Sequence, residues 1–217
     1  MLPREEALKA IIDVGVMAVI RLNSSSQLQA VAEAIQEGGI QAIEFTMTTP
    51  GALDTLKEAA KNLNENTILG AGTVLDAETA RAAILAGAKF IVAPNLNLEV
   101  IATAHRYSVA VIPGALTPTE IITAWEAGAD VVKIFPASIG GPELIKALHG
   151  PLPHIKMIPT GGVDLNTVAA FIKAGSDAVA VGGNLVDKEV IIRGEFDKIT
   201  NLAKQYVDIV LQARREK

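Results

Sequence analysis

The segment VVKIFPA, residues 131–137, is a short apolar run with one charged side chain, Lys133, near its start. Similar runs recur along the chain, separated by longer segments with helical periodicity. In chain order the other runs are MAVIR (17–21), AIEFTM (42–47), ILGAGTV (68–74), FIVAP (90–94), AVIPGA (110–115), MIPTGG (157–162) and AVAVGG (178–183). Near-continuous apolar runs, rather than strict alternation of apolar and polar residues, are typical of parallel strands that helices cover.

Eight strand-then-helix units predict an α/β fold, a (β/α)8 TIM barrel that occupies residues 1–217 as a single domain. The chain is slightly short for this fold, so we expect short loops. A doubly wound open sheet is the alternative, and it would require some of the eight runs to be helix or loop.

Helix boundaries are indicated by residues between the runs. Thr117, Pro118 and Glu120 match an N-terminal capping pattern, and Asp76 and Asp164 are candidate caps of their own helices. Four segments reach a glycine shortly before the next strand, which predicts helix C-caps at Gly38-Gly39, Ala86-Gly87, Ala127-Gly128 and Ala174-Gly175.

The composition excludes several classes of protein. Half of the residues are apolar but only 4% are aromatic, so we expect a core of Ala, Val, Ile and Leu and no disorder of the whole chain. The 19 Lys and Arg residues face 24 Asp and Glu residues, and this net charge of −5 without a long basic run argues against nucleic-acid binding. The lack of cysteine excludes disulfides, thiolate zinc sites and a cysteine nucleophile.

The amino-terminal sequence mixes acids and bases, and the apolar stretch that follows is broken by Asp13. This stretch is too short to span a bilayer, so we expect no signal peptide, no transmembrane helix and no membrane partner. A cytoplasmic location fits these features.

The positions of the three histidines and of the single tryptophan argue against a metal site and against a stacking platform. His105 lies in a helical stretch, and His149 and His154 flank the connection that leads to the seventh strand. None of them accompanies carboxylates at a strand end, so we expect no metal site. Trp125 lies in a helical pattern, where packing is the simplest role.

Lys133 and Glu44 are the two charged residues placed inside apolar runs. An ammonium among Val, Ile and Phe loses solvation, which favours the free amine required to attack a carbonyl. Both residues lie on even-numbered strands, so they can share one layer of the barrel interior and form a nucleophile and acid–base pair. The alternatives are a lysine that points outward and a buried ion pair that only joins two strands. By contrast, Lys89 and Lys156 immediately precede their strands and belong to the opposite end.

Glycine pairs end the seventh and eighth strands, in PTGG (159–162) and VGG (181–183). These two strand ends are where phosphate sites recur in the predicted fold, because exposed backbone N–H groups can bind the anion.

Two further polar residues lie at the ends of predicted strands. Thr73 offers a hydroxyl to a substrate carboxylate, and Arg21 can pair with a carboxylate or a phosphate. A helix-entry cap and a rim charge are the alternative roles of these two residues.

Taken in order, these motifs resemble the bacterial 2-dehydro-3-deoxy-6-phosphogluconate aldolase and 4-hydroxy-2-oxoglutarate aldolase family. The similarity extends roughly over residues 18–186. The matching motifs are IEFT with Glu44, GAGTV with Thr73, FIVAP with Pro94, IPG (112–114), KIFPA with Lys133, PTGGV with Thr160 and VGG.

The resemblance implies a class I aldolase that needs no metal or other cofactor, and a homotrimer of (β/α)8 barrels. Its substrate would be a keto acid cleaved to pyruvate and glyceraldehyde 3-phosphate, as in the Entner–Doudoroff pathway, with 4-hydroxy-2-oxoglutarate as a second substrate. Lys133 would form the Schiff base and Glu44 would be the general acid and base. The implied substrate-binding residues are Thr73, Thr160, Arg21, Pro94, Phe135, Gly161, Gly162, Gly182, Gly183 and Asn184.

The sequence departs from the family pattern at two positions. Thr48 stands where some members have arginine, so Arg21 is the candidate for that charge. Asn184 follows the last glycine pair where many members have serine, and an amide can also donate to a phosphate. Three alternative functions stay open: a 6-phosphogalactonate-type aldolase, a phosphosugar isomerase or epimerase without an imine, and a non-catalytic phosphate-binding barrel.

Overall fold

The computed structural model describes residues 4–21, 27–64 and 66–216. The strands are β1 (Val16–Ile20), β2 (Ala42–Thr46), β3 (Ile68–Gly72), β4 (Phe90–Val92), β5 (Ala110–Ile112), β6 (Gly114–Ala115), β7 (Val132–Ile134), β8 (Met157–Pro159) and β9 (Val179–Val181). The helices are α1 (Arg4–Val14), α2 (Leu28–Glu37), α3 (Ala52–Asn62), α4 (Ala77–Leu85), α5 (Leu98–Arg106), α6 (Pro118–Glu126), α7 (Gly141–His149), α8 (Val168–Lys173), α9 (Lys188–Ile192) and α10 (Phe196–Arg215), with a 3-10 turn at Ala137–Ile139.

The protein has an α/β fold with a curled parallel sheet. Six parallel strands are hydrogen-bonded in the order β5-β4-β3-β2-β1-β9, and three more in the order β6-β7-β8. Every pairing that the structure describes is parallel, with registers such as Glu44 opposite Gly70 and Lys133 opposite Ile158. The carboxyl ends of the strands therefore lie at one end of the fold.

Each of the eight predicted runs contains a strand, but the single strand predicted over residues 110–115 is divided into β5 and β6. Pro113 separates them, and a proline cannot donate the next ladder hydrogen bond. The first part pairs with β4 and the second with β7, where Lys133 N–H donates to the Pro113 carbonyl over 2.9 Å. One run of sequence thus takes part in both sets of strands.

The two faces of the curled sheet contact different groups of side chains. The convex face packs against α2 to α10 through a large apolar cluster that includes Val16, Ile43 and Val179. The concave face holds a smaller cluster with Met17 and Val131, and Ile11 of α1 belongs to it. Helix α1 therefore covers the concave face near the amino ends of the strands.

Most of the predicted helix boundaries are confirmed. Thr117 and Glu120 form a capping box at α6, and the Asp76 side chain accepts from Thr79 N–H at the start of α4. The Asp164 side chain does not cap α8. It accepts from the N–H groups of Asn166 and Thr167, and so closes the turn that precedes the helix.

The predicted C-caps also agree with the backbone. Gly87 and Gly175 adopt φ values of 114° and 120°, a region that a residue with a Cβ atom rarely enters. Each of these glycines therefore ends its helix and returns the chain to the sheet.

Arg214 ties the last helix to the amino ends of the strands. Its guanidinium donates to the carbonyls of Asp13 (2.7 Å), Ile12 (2.6 Å) and Asp177 (2.6 Å). Because these are charge-assisted bonds to carbonyls at the end of α1 and before β9, we expect Arg214→Ala to destabilise the fold by about 2 kcal/mol. Thermal unfolding should show a Tm decrease of about 4–8 °C. Arg215→Ala is the matched control, and an equal decrease in both variants would contradict this role.

Candidate active site

The alternation of side chains along the strands places Lys133 and Glu44 on the concave face. Lys133 lies two residues after Val131, and Glu44 two residues after Ala42, and both apolar residues belong to the concave cluster. Residues two apart on a strand point to the same side of the sheet. Lys133 and Glu44 therefore lie further along that face, towards the carboxyl ends of β7 and β2.

Lys133 is buried at the centre of the three strands β6, β7 and β8. Its residue exposure is 5%, and its strand neighbours are Gly114 and Ile158. The ammonium lies 5.1 Å from the centroid of the Phe135 ring, within the range of a cation–π contact. Among the described residues it has no ion-pair partner. A buried cation without a carboxylate partner is unusual in a structural role.

Glu44 is almost fully buried, with 1% of the residue exposed. Its carboxyl group lies against Gly72 of the neighbouring strand, in space that a Cβ atom at that position would occupy. Oε2 has no hydrogen-bond partner in the described part of the chain. Burial raises the pKa of Glu44, and the positive charges of Lys133 and Arg21 oppose this shift. The side chain can therefore both hold and release a proton.

A cavity of about 560 Å³ opens at the carboxyl ends of β1, β8 and β9. The structure brings eight of the twelve predicted site residues together in its wall: Arg21, Phe135, Thr160, Gly161, Gly162, Gly182, Gly183 and Asn184. Phe135 lines this cavity and also contacts the Lys133 ammonium. It therefore joins the cavity to the buried lysine.

The other four predicted residues lie outside the cavity wall. Lys133 and Glu44 are deeper on the concave face, as described above. Thr73 follows β3 with φ 57°, a strained conformation for a residue other than glycine. Pro94 follows β4, and its backbone is so close to Gly114 that a Cβ there would overlap it. The structure does not bring Thr73 or Pro94 into the cavity wall.

Polar groups in the cavity differ in whether they are already engaged. Thr160 Oγ1 is buried and has no partner among the described residues. The Asn184 side-chain amide donates to the Val163 carbonyl over 2.8 Å, and so joins the loops after β8 and β9. The sequence led us to expect that this amide donates to a phosphate. Only its second hydrogen is available for that bond. Within the described ranges, Gly162 and Gly183 N–H groups have no backbone acceptor.

Two residues near Glu44 were not singled out from the sequence. Thr46 is fully buried two residues after Glu44, and its hydroxyl lies 3.3 Å from that of Thr48. The alternation of side chains along AIEFT places Thr46 on the same face as Glu44, so the sequence alone was sufficient to identify it. Gly72 contacts the Glu44 carboxyl through the pairing of β2 with β3, and no local pattern indicates this contact.

His105, His154 and Trp125 contact other residues of the fold. The His105 ring hydrogen-bonds the Gly128 carbonyl over 2.8 Å, and Trp125 packs edge-on against His154 at 5.9 Å between ring centroids. In the described residues, no group of three or more His, Asp or Glu side chains is arranged to hold a metal ion. None of the helices there has the length and apolar character of a membrane span.

Comparison with known proteins identifies the family. Residues 8–202 match the aldolase family described as KDPG and KHG aldolase. The chain is similar to 2-dehydro-3-deoxy-phosphogluconate aldolases of Treponema pallidum (37% identity, 91% of this chain and 94% of the relative) and Pseudomonas aeruginosa (34% identity, 92% and 91%).

Solved structures give the same result. A KDPG aldolase from Legionella pneumophila with pyruvate captured as a covalent carbinolamine superimposes with a TM-score of 0.84 and 28% identity, over 91% of this chain and 96% of that one. The buried lysine and glutamate beside a glycine-lined cavity agree with these similarities, and the chain belongs to the KDPG and KHG aldolase family, whose members are carbon–carbon lyases.

Proposed function

We propose that the protein cleaves 2-dehydro-3-deoxy-6-phosphogluconate to pyruvate and glyceraldehyde 3-phosphate through an imine on Lys133. The central support is the burial of the Lys133 amine on the concave face, without an ion-pair partner among the described residues. Membership of the aldolase family and the carbinolamine of the Legionella protein agree with this chemistry.

Substrate binding is proposed to use the cavity and the concave face together. The glycine N–H groups at the ends of β8 and β9 and the Arg21 guanidinium would receive the anionic groups. Thr160 Oγ1, which is buried without a partner, would donate to the keto-acid end of the substrate. Thr73 and Pro94 remain proposed members of this keto-acid pocket on the basis of the family motif.

The bond-breaking step requires an electron acceptor and a base. Lys133 in its amine form attacks C2 of the keto acid to give a carbinolamine. A proton from solvent joins the carbinolamine hydroxyl group, which leaves as water to give a protonated imine, and hydrolysis of the imine at the end of the cycle returns this proton to solvent. The C3–C4 bond then breaks, and its electron pair moves to C3 and on to the imine nitrogen to give an enamine. The Glu44 carboxylate accepts the proton of the C4 hydroxyl, so C4 leaves as the aldehyde of glyceraldehyde 3-phosphate.

Product release returns both residues to their starting state. The protonated Glu44 carboxyl group gives a proton to C3 of the enamine, and the burial that raises its pKa favours this proton-holding form. Water then adds to the imine carbon, and pyruvate leaves as the Lys133 amine is regenerated. The whole reaction cycle consumes one water molecule in hydrolysis of the imine and releases one in its formation.

The proposed reaction is tested by incubating the protein with 2-dehydro-3-deoxy-6-phosphogluconate and measuring pyruvate with a coupled dehydrogenase. We expect cleavage, with slower cleavage of unphosphorylated 4-hydroxy-2-oxoglutarate, because glycine N–H groups and the Arg21 guanidinium line the cavity. The 6-phosphogalactonate analogue belongs in the same assay, since an Escherichia coli 2-dehydro-3-deoxy-6-phosphogalactonate aldolase is 36% identical over 78% of this chain. Turnover of only the unphosphorylated acid would contradict the proposed substrate.

Gly72 provides a test of the Glu44 position. A Cβ at Gly72 would overlap the Glu44 carboxyl group, so Gly72→Ala should displace it. We expect kcat to fall about 100-fold, since misplaced catalytic groups cost rates of this order. Gly150→Ala is the matched control, because a Cβ there has no contact closer than 3.6 Å. Near wild-type kcat in a folded Gly72→Ala protein would show that the carboxyl position is unimportant.

We also propose that the curled sheet closes into a barrel. The backbone bridge between Thr160 and Ala180 joins the end of β8 to β9, and only Pro113 separates β5 from β6. These two links support a complete (β/α)8 barrel over residues 1–217, formed as one domain.

Assembly and location are proposed from the family resemblance. We propose a homotrimer in the cytoplasm. Light scattering at micromolar concentration should give three times the chain mass, and a monomer would contradict this assembly.

A further inference from the structure

The cavity wall contains charged residues beyond those of the family motifs. Asp187, Lys188 and Glu189 line it at the start of α9, and Arg21 lines it from the end of β1. With two acids and two bases the wall is formally neutral. Which of these charged groups already has a hydrogen-bond or ion-pair partner decides which charge a ligand in the cavity contacts.

Both acids are engaged by other groups. The Asp187 carboxylate accepts from the N–H groups of Glu189 (2.8 Å) and Val190 (3.1 Å). The Glu189 carboxylate lies 3.9 Å from the Arg193 guanidinium, one helical turn away. Among the described residues, Lys188 has no ion-pair partner. The positive charge of Lys188 is therefore the one in this segment that is left for a ligand.

Other donors at this end of the cavity are limited. The Asn184 amide is bonded to the Val163 carbonyl, and the glycine N–H groups are neutral. A phosphoryl group bound by these neutral donors carries a charge that they do not balance, and Arg21 and Lys188 are the two cations among the described residues that line the cavity.

We propose that Lys188 is a specificity-determining residue that contacts the phosphoryl group of the substrate. This inference rests on the proposed aldolase function and assigns its preference for a phosphorylated substrate to a side chain outside the family motifs. Lys188 is exposed at the cavity, whereas Lys133 and Glu44, the residues assigned to bond breaking, are buried on the concave face. Its loss should therefore change substrate preference and leave the chemistry intact.

The test compares the wild-type protein with Lys188→Gln, Lys188→Arg and the control Lys204→Gln, which alters an exposed lysine of α10 outside the cavity. For Lys188→Gln we expect kcat/KM to fall about tenfold on 2-dehydro-3-deoxy-6-phosphogluconate, mainly through KM, and by less than about twofold on 4-hydroxy-2-oxoglutarate. Lys188→Arg should retain most of the preference, and Lys204→Gln should retain all of it. Equal losses on the two substrates, or no loss on either, would overturn the inference.

Calorimetric titration with inorganic phosphate separates this inference from the proposed reaction. We expect Lys188→Gln to weaken phosphate binding about tenfold, with a smaller difference at high salt. If the wild-type protein cleaves none of the acids but this difference is found, the reaction is wrong and the anion contact stands. If the wild-type protein binds phosphate no better than Lys188→Gln does, Lys188 has no role in anion binding.

Discussion

Lys133→Met is expected to abolish cleavage of the keto acid, with kcat falling by at least about 10³-fold. Methionine fills a similar volume on the concave face but has no amine to attack C2. The exchange of pyruvate methyl protons with solvent should be lost as well, because exchange depends on the enamine. Lys156→Met is the matched control, since Lys156 immediately precedes β8 at the opposite end of the strand.

The same variant separates the aldolase from an isomerase or epimerase. An enzyme that uses Glu44 and Lys133 only for proton transfer would keep part of its substrate-dependent proton exchange without the lysine. Exchange at more than a few per cent of the wild-type rate in Lys133→Met would therefore contradict the imine mechanism.

Glu44→Gln is expected to lower kcat by about 10²- to 10⁴-fold, because the amide cannot accept the C4 hydroxyl proton. The variant should still form the pyruvate imine, since Lys133 is unchanged. Cleavage assays together with imine trapping measure the two effects separately. A variant that cleaves at the wild-type rate would remove Glu44 from the mechanism.

The same substitution should stabilise the fold at neutral pH. Burial raises the pKa of Glu44 above its ordinary 4.5, so the folded state holds the proton more tightly than the unfolded state does. This contribution to stability is complete below pH 4.5 and is lost as the pH rises through the pKa of the folded state. Glutamine is neutral at every pH, so the variant does not lose this contribution to stability as the pH rises.

Thermal unfolding as a function of pH measures this difference. Below pH 4.5 we expect equal Tm values for the wild type and Glu44→Gln. At pH 7 the Tm of the variant should be higher, by about 2–4 °C for each kcal/mol by which the substitution lowers the free-energy cost of burying the ionised carboxyl group. A structural ion pair between Glu44 and Lys133 would give the opposite result, because breaking such a pair leaves a buried charge without a partner.

Much of the candidate site could be predicted from the sequence because charge inside an apolar strand is costly. Lys133 and Glu44 became candidates for that reason alone, and strand alternation correctly places both on the concave face. The glycine pairs were also informative, since both line the same cavity with Arg21, Phe135 and Thr160.

The features that sequence reasoning missed depend on contacts between distant segments. The overlap of the Glu44 carboxyl group with the Cβ position of Gly72 arises from the pairing of β2 with β3. The division of the fifth run at Pro113 depends on which neighbour each half pairs with. Helix α1 carries an ordinary amphipathic pattern, and nothing in its sequence indicates that Ile11 covers the concave face.

The Asn184 and Lys188 positions show the same limit. Asn184 directly follows the last glycine pair and was predicted to donate to a phosphate, whereas Lys188, four residues later, was not singled out from the sequence. Only the bond from the Asn184 amide to the Val163 carbonyl, across two loops, distinguishes the engaged side chain from the available one.

Reduction of the protein with borohydride in the presence of pyruvate, followed by mass analysis of the peptide that contains Lys133, tests the imine directly. We expect a pyruvate-derived adduct on Lys133 in the wild type and in Glu44→Gln, and none in Lys133→Met. An adduct on another lysine, or no adduct when pyruvate binding has been measured separately, would contradict the proposed class I mechanism.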